Sequence, residues 1–143
     1  MIRKCPNCGA QNRIPARHLA RTGHCGKCKA DLPPLNEPVD ADSKLFAEIT
    51  GEATVPVLAD FWAAWCGPCK MAAPAVAKVA ANLAGRAIVL KVNTEENPAL
   101  AARYGVRSIP NFAVFRDGKL QWQQPGLLSQ QQLEQAVLGQ SPK

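Results

Sequence analysis

The stretch Trp65-Cys66-Gly67-Pro68-Cys69-Lys70 constrains this chain more than any other. It follows the apolar run Val57-Leu58-Ala59-Asp60-Phe61-Trp62 and opens a helical pattern. Two thiols spaced C-x-x-C can close a disulfide on themselves. They can therefore give two electrons to another protein's disulfide and accept two again later. The strand-to-turn-to-helix setting separates that use from metal binding. It places Cys66 at a helix N-terminus, where free backbone N–H groups and the macrodipole favour a thiolate. Cys66 is thus expected to be the exposed, attacking sulfur. Cys69, one turn further in, is expected to be shielded and to resolve the mixed disulfide by attacking Cys66. Gly67 permits close approach, and Pro68 suits the first helical turn, where its missing N–H costs little.

The other four cysteines stand as Cys5-Pro6-Asn7-Cys8 and Cys25-Gly26-Lys27-Cys28, with 16 residues between the pairs. That is the spacing of a four-cysteine zinc site. Each C-x-x-C turns two sulfurs to one side, and Gly9 supplies a permissive backbone after the first pair. Four thiolates close a tetrahedron and leave no position for water, so the expected Zn²⁺ is structural. His24 adjoins Cys25 and is the alternative ligand; His18 reads as a surface residue. Because these four complete a tetrad, Cys66 and Cys69 are not read as half of a second metal site.

The formal charge of +6 is unevenly placed. Residues 1–34 carry seven basic side chains and one acid, Asp31, whereas residues 35–143 carry ten of each sign. Four thiolates and one Zn²⁺ would lower the N-terminal excess to about +4. A basic ribbon raises the question of nucleic acid, but residues 1–34 contain no Phe, Tyr or Trp on which bases could stack. Nucleic acid is therefore not the expected partner. No apolar run reaches the length of a membrane span, and no apolar segment follows the basic start as in a secretory signal. The expected setting is a reducing compartment, the cytoplasm, where six cysteines read as metal ligands and redox groups.

Residues 1–32 hold four cysteines and few large apolar side chains (Ile2, Ile14, Leu19, Leu32), too few for a core of their own. Residues 33–38, Pro33-Pro34-Leu35-Asn36-Glu37-Pro38, read as a stiff linker, and residues 39–143 as an α/β unit. In that unit Asp42 or Ser43 caps a helix to about Ile49, stopped by Gly51. A strand runs over 55–62, a helix over 69–83 with Pro74 inside it, and a strand over 87–92. A short helix over 98–104, a hairpin of 112–115 and 120–123 around Asp117-Gly118, and a last helix from Ser129 to about Leu138 complete the pattern. No internal repeat is visible.

At these residues the chain resembles the thioredoxins. The likeness covers roughly Val39 to Gly139 in order and spacing. It includes Asp60-Phe61-Trp62-Ala63, the Cys-Gly-Pro-Cys segment, Pro74, Lys91-Val92-Asn93, Tyr104-Gly105-Val106, Ile109-Pro110, Gly118 and Gly126. The N-terminal C-x-x-C pairs make it similar to the second bacterial type, with a zinc-binding extension. The resemblance implies a central mixed sheet flanked by helices, preceded by a small four-cysteine zinc ribbon. It implies a protein-disulfide reductase, a monomer without a bound organic cofactor. Such a protein acts on disulfide-containing clients and is recharged by a flavin- and NADPH-dependent thioredoxin reductase. Asp60 would lie beneath the thiols as proton acceptor for Cys69, with Lys91 as its electrostatic partner. Pro110 would be cis and face the cysteines. Trp65, Gly67, Pro68, Ile109, Pro110 and Gly126 would line the client surface. Asn111 departs from the pattern, since threonine is common there. Two other functions are weighed against the reductase. One is a binding module in which the redox domain switches the ribbon. The other is a redox-sensing chaperone, for which the ribbon has little apolar surface to expose.

Overall fold

A computed structural model describes residues 1–139. The last four residues of the expected 39–143 unit lie outside the described residues. The chain begins with two small antiparallel hairpins, β1 (Ile2–Lys4) with β2 (Gln11–Arg13) and β3 (Gly23–His24) with β4 (Asp31–Leu32). A single 3-10 turn, Ala16–His18, lies between them. Then follow β5 (Val39–Asp40), α1 (Ser43–Glu52), β6 (Val57–Trp62), α2 (Gly67–Asn82), β7 (Ile88–Asn93), α3 (Pro98–Arg103), β8 (Asn111–Arg116), β9 (Lys119–Pro125) and α4 (Gln130–Gly139). The main sheet has the order β5-β7-β6-β8-β9. Its β6 is parallel to β7 and antiparallel to β8.

Local chemistry accounts for most boundaries. The Asp42 side chain accepts the Leu45 N–H at 2.8 Å and starts α1. That helix runs past Gly51 to Glu52 and ends when the Ala53 N–H returns to the Ile49 carbonyl. Gly51 is therefore not the stop expected of it. Asp117 and Gly118 have φ values of 55° and 78°, the left-handed pair a tight β8–β9 turn requires. At α4 the Ser129 hydroxyl accepts the Gln132 N–H at 3.1 Å, and the Gln132 side chain accepts the Ser129 N–H at 2.9 Å. This reciprocal box satisfies two N–H groups that the helix start leaves free.

The sheet buries both faces. Val57, Ala59 and Phe61 of β6 point to one side, with Phe46, Ile49, Leu90, Leu100 and Phe115. Leu58 points to the other, with Val76, Val79, Phe112, Val114, Leu133 and Val137 from α2, β8 and α4. By strand alternation Asp60 and Trp62 share Leu58's side, the side covered by α2.

The N-terminal segment is not a loose appendage. Ala16, Leu19 and Leu35 are buried in the same cluster as Phe46 and Ile49, with Met1, Ile14 and Ala20 packed against it. The Leu35 N–H bonds the Leu19 carbonyl at 3.0 Å, and the Arg3 guanidinium donates to the Pro33 carbonyl at 2.6 Å. Residues 33–38 thus do more than span a gap: Leu35 is a core side chain.

Candidate redox and metal sites

The redox pair sits where β6 hands over to α2. Cys66 is the N-cap of α2, with extended φ and ψ of −82° and 110°, and its sulfur accepts the Cys69 N–H at 3.1 Å. Pro68 lies in the first turn, where no intrahelical partner for an N–H is lost. Cys66 and Cys69 are joined as a disulfide, with Cα atoms 5.3 Å apart. The expected contrast of exposure is absent in this oxidised form: Cys66 is 2% exposed and Cys69 5%. What distinguishes Cys66 is its place at the helix end, where it receives an N–H.

The Ile109 carbonyl lies 3.7 Å from the Cys66 sulfur, and the Ile109–Pro110 peptide is cis. The Pro110 carbonyl accepts the Gly126 N–H at 2.8 Å, so these two residues meet across the β8–β9 edge. Gly126 has a φ of 99°, a conformation that side chains rarely adopt. Trp65 is 68% exposed and Met71 69%, more than any other large apolar side chain among the described residues. A groove of about 360 Å³ lies between Trp65, Thr94, Arg107 and Ile109. A larger groove of about 760 Å³ lies elsewhere, along Asp40, Trp62, Lys91, Asn93 and Glu96, and does not include the cysteines.

Asp60 is 2% exposed, and its Oδ1 has no hydrogen-bond partner among the described residues. Burial pushes its carboxyl up to about 7, against the opposing pull of Lys91. Lys91 is its cross-strand neighbour in the β6–β7 register. The Lys91 ammonium, however, sits over the Trp62 ring, 4.5 Å from its centre. Its influence on Asp60 is therefore exerted through space, with no direct ion pair between them among the described residues.

The second cluster is built by two nearly equivalent knuckles. The Gly9 N–H bonds the Cys5 carbonyl and the Cys5 N–H the Ala10 carbonyl; the Lys29 and Cys25 N–H groups repeat both bonds to Cys25 and Ala30. Gly9 and Lys29 both have positive φ, 76° and 67°. The short repeat escaped the sequence reading because only Cys and Ala recur, with Lys29 in the glycine position. The Cys5–Cys28 and Cys8–Cys25 sulfur separations are 3.6 and 3.7 Å, and all four sulfurs lie within 4.8 Å of one another. A tetrahedral zinc with bonds of about 2.3 Å needs sulfurs about 3.8 Å apart, so the donor set fits a four-sulfur metal ion. His24 instead faces Asp31 at 3.2 Å.

N–H donors surround three of the four sulfurs, those of Cys5, Cys25 and Cys28. The Asn7 and Cys8 N–H groups point at the Cys5 sulfur, and the Lys27 N–H at that of Cys25. The Cys28 amide and the Asn12 side chain hold the Cys25 thiol down to about 5, against burial. The Asn7 side chain and the Ala30 amide lower that of Cys28. Cys8 also receives a lowering bond from the Ala10 backbone, but burial and the neighbouring cysteines outweigh it and push it up to about 11. A cation held among the four sulfurs would offset the charge of their thiolates.

Comparison with known proteins finds relatives for both parts of the chain. A family described as "Thioredoxin" matches residues 37–138, and one described as "Thioredoxin 2, N-terminal" matches residues 4–30. "Thioredoxin C-3" of Corynebacterium nephridii is 44% identical over 115 residues, 80% of this chain and 78% of that one. "Thioredoxin 1" of Chlorobaculum tepidum is 49% identical over 84 residues, 59% of this chain and 83% of that one. A mutant thioredoxin from Halobacterium salinarum NRC-1 superposes with a TM-score of 0.69 at 34% identity, over 76% of this chain and 94% of that structure. No described helix is long and apolar enough to cross a membrane. With a mixed sheet between helices, a Cys-Gly-Pro-Cys disulfide at a helix start and a four-cysteine cluster ahead of it, the chain belongs to the thioredoxin family of thiol–disulfide oxidoreductases.

Proposed function

We propose that this chain reduces disulfides of client proteins, with Cys66 as the attacking sulfur and Cys69 as the resolving one. The observation that carries this is the Cys69 N–H aimed at the Cys66 sulfur across the first turn of α2. A thiolate at Cys66 keeps that donor and the positive end of the helix dipole. It attacks one sulfur of the client disulfide. The client S–S bond breaks, a mixed disulfide forms, and the departing client thiolate takes a proton from water. Cys69 then loses its proton to Asp60 and attacks Cys66. The Cys66–Cys69 bond forms, the second client thiolate leaves, and two electrons have passed from the dithiol to the client. Asp60 suits the acceptor's role because a carboxyl poised near 7 takes and gives a proton at neutral pH. Lys91 favours its ionised form from the neighbouring strand.

The client segment is proposed to lie along Trp65, Gly67, Pro68, Ile109, Pro110 and Gly126, pairing with the backbone beside the cis proline. The metal at Cys5, Cys8, Cys25 and Cys28 is proposed to be zinc, which has no redox chemistry and holds the knuckles in register. The chain is read as a cytoplasmic monomer recharged by a flavin- and NADPH-dependent reductase, without nucleic acid as a partner. The division at residues 32 and 38 is retained as a proposed boundary of ribbon, connector and catalytic unit.

Trapping tests the assignment. Cys69→Ser is expected to accumulate mixed disulfides with clients, linked through Cys66, while Cys66→Ser forms none and reduces nothing. Adducts on Cys66→Ser with normal turnover of Cys69→Ser would reverse the two roles.

A further inference from the structure

Gln123 lies on β9, opposite Ala113 of β8, and outside the set of residues that meet the cysteines. Its Nε2 donates to the Asn111 Oδ1 at 2.9 Å and to the Tyr104 carbonyl at 2.9 Å. A primary amide nitrogen has two hydrogens, so both are used, one on each acceptor. Asn111 is 5% exposed and follows Pro110 directly. Tyr104 is the C-cap of α3, and its carbonyl is among those the helix end leaves without an intrahelical partner. Gly105 to Pro110 therefore form a loop whose two ends are fixed to a single nitrogen. Within that loop lie Arg107 and Ile109 of the groove beside Trp65, and the Ile109 carbonyl 3.7 Å from the Cys66 sulfur.

We infer that Gln123 and Asn111 are positioning residues that set the client-binding loop Gly105–Pro110 against the redox pair. The inference rests on the proposed reading of Ile109 and Pro110 as client surface. The physical case is one of spacing and valence. Among the described residues Gln123 Nε2 is the one hydrogen-bonding group that Tyr104 and Asn111 share; the Val106 N–H to Ala101 and Gly126 N–H to Pro110 bonds hold each end of the loop to its own element and do not tie the ends together. The Asn111 side chain reaches far enough from β8 to meet the Gln123 amide, and Gln123 has both the length and the second hydrogen to continue to Tyr104. Glu at position 123 would be isosteric but would present an acceptor to two acceptors, and Met would fill the space with no donor. Either leaves the half-buried Tyr104 carbonyl and the buried Asn111 oxygen unmatched. The loop would then shift relative to β8, moving Ile109 without touching either cysteine.

The test is single-turnover oxidation of the prereduced, zinc-loaded full chain by insulin and, separately, by hydroxyethyl disulfide. Gln123→Met and Gln123→Glu are expected to raise the insulin concentration for half-maximal rate about tenfold, within what the loss of the two bonds could supply. The maximal rate with insulin and the rate with hydroxyethyl disulfide should stay within about twofold of wild type. Asn111→Ala should give a similar rise, and the Asn111→Ala/Gln123→Met pair no more than either alone, because one connection is removed. Unchanged half-saturation in a folded Gln123 variant would overturn the inference. So would additive effects, or equal loss toward both substrates. Should Gln123→Met fail to fold, Gln123→Glu carries the same comparison. If Ile109→Ala leaves the insulin concentration for half-maximal rate unchanged, it is the underlying reading of Ile109 as client surface that fails, and the Gln123 variants are not what shows it.

Discussion

Leu19→Ala reports whether the metal-binding segment and the catalytic unit share one core. Leu19 is fully buried and sits in the cluster with Phe46, Ile49 and Leu35. Truncation removes three carbons, about 2.4 kcal/mol at roughly 0.8 kcal/mol per buried carbon. It also leaves a cavity that rigid neighbours on α1 fill only in part, which brings the expected loss to about 3 kcal/mol, within the usual range of about 2–5. All three tryptophans, Trp62, Trp65 and Trp122, lie outside residues 1–38, so their fluorescence reports only on the catalytic unit. With a urea dependence of about 2 kcal/mol per molar, the tryptophan-detected midpoint should fall by about 1.5 M. If the segment folds independently, the same substitution leaves that midpoint in place. A shift worth less than about 0.5 kcal/mol, the size of an ordinary surface effect, would refute the shared core.

Asp60→Asn should stabilise the oxidised protein in a pH-dependent way. The folded carboxyl keeps its proton up to about 7, whereas an unfolded aspartate loses it near 4. Between those values the unfolded state binds fewer protons, so wild-type stability falls as pH rises through the interval. The gain on substitution should be small at pH 4 and approach about 4 kcal/mol above pH 7, at roughly 1.4 kcal/mol per unit. Equal urea midpoints for both proteins at pH 8 would contradict it. Metal removal by a strong chelator should lower the tryptophan-detected midpoint, because Ile14 packs on both the Cys5–Cys25–Leu32 cluster and the main core. In the reduced protein, mass spectrometry after thiol labelling should then count all six cysteines; labelling of all six before chelation would show that no metal holds the tetrad.

The elements that were legible in the sequence are those whose cause is local. Asp42 and Ser129 announce helix starts because a side-chain oxygen caps its own N–H groups three residues on. Asp117-Gly118 announces a hairpin because few other residues accept left-handed backbone. The two cysteine sets were readable from spacing, since a knuckle and a helix start each need fixed offsets. Besides the repeated knuckle, three features were not readable. Ala16, Leu19 and Leu35 join the core from a stretch with neither helical nor strand periodicity, and Leu35 was hidden among prolines. Gly51 looked like a helix stop, yet a glycine stops a helix only where the chain turns left-handed, and here the helix continues to Glu52. The Tyr104–Gln123–Asn111 connection joins three elements through side chains, and no local pattern encodes such a bond.

The central claim is that the helix start makes Cys66 the reactive sulfur. It is tested most directly by labelling the reduced, zinc-loaded full chain at neutral pH with less than one equivalent of iodoacetamide, followed by peptide mapping. The expected result is label on Cys66 ahead of Cys69 and of Cys5, Cys8, Cys25 and Cys28, because only the Cys66 sulfur occupies the N-cap of α2 with a backbone N–H aimed at it and no metal to share. First label on Cys69, or on any cysteine of the tetrad, would contradict the claim.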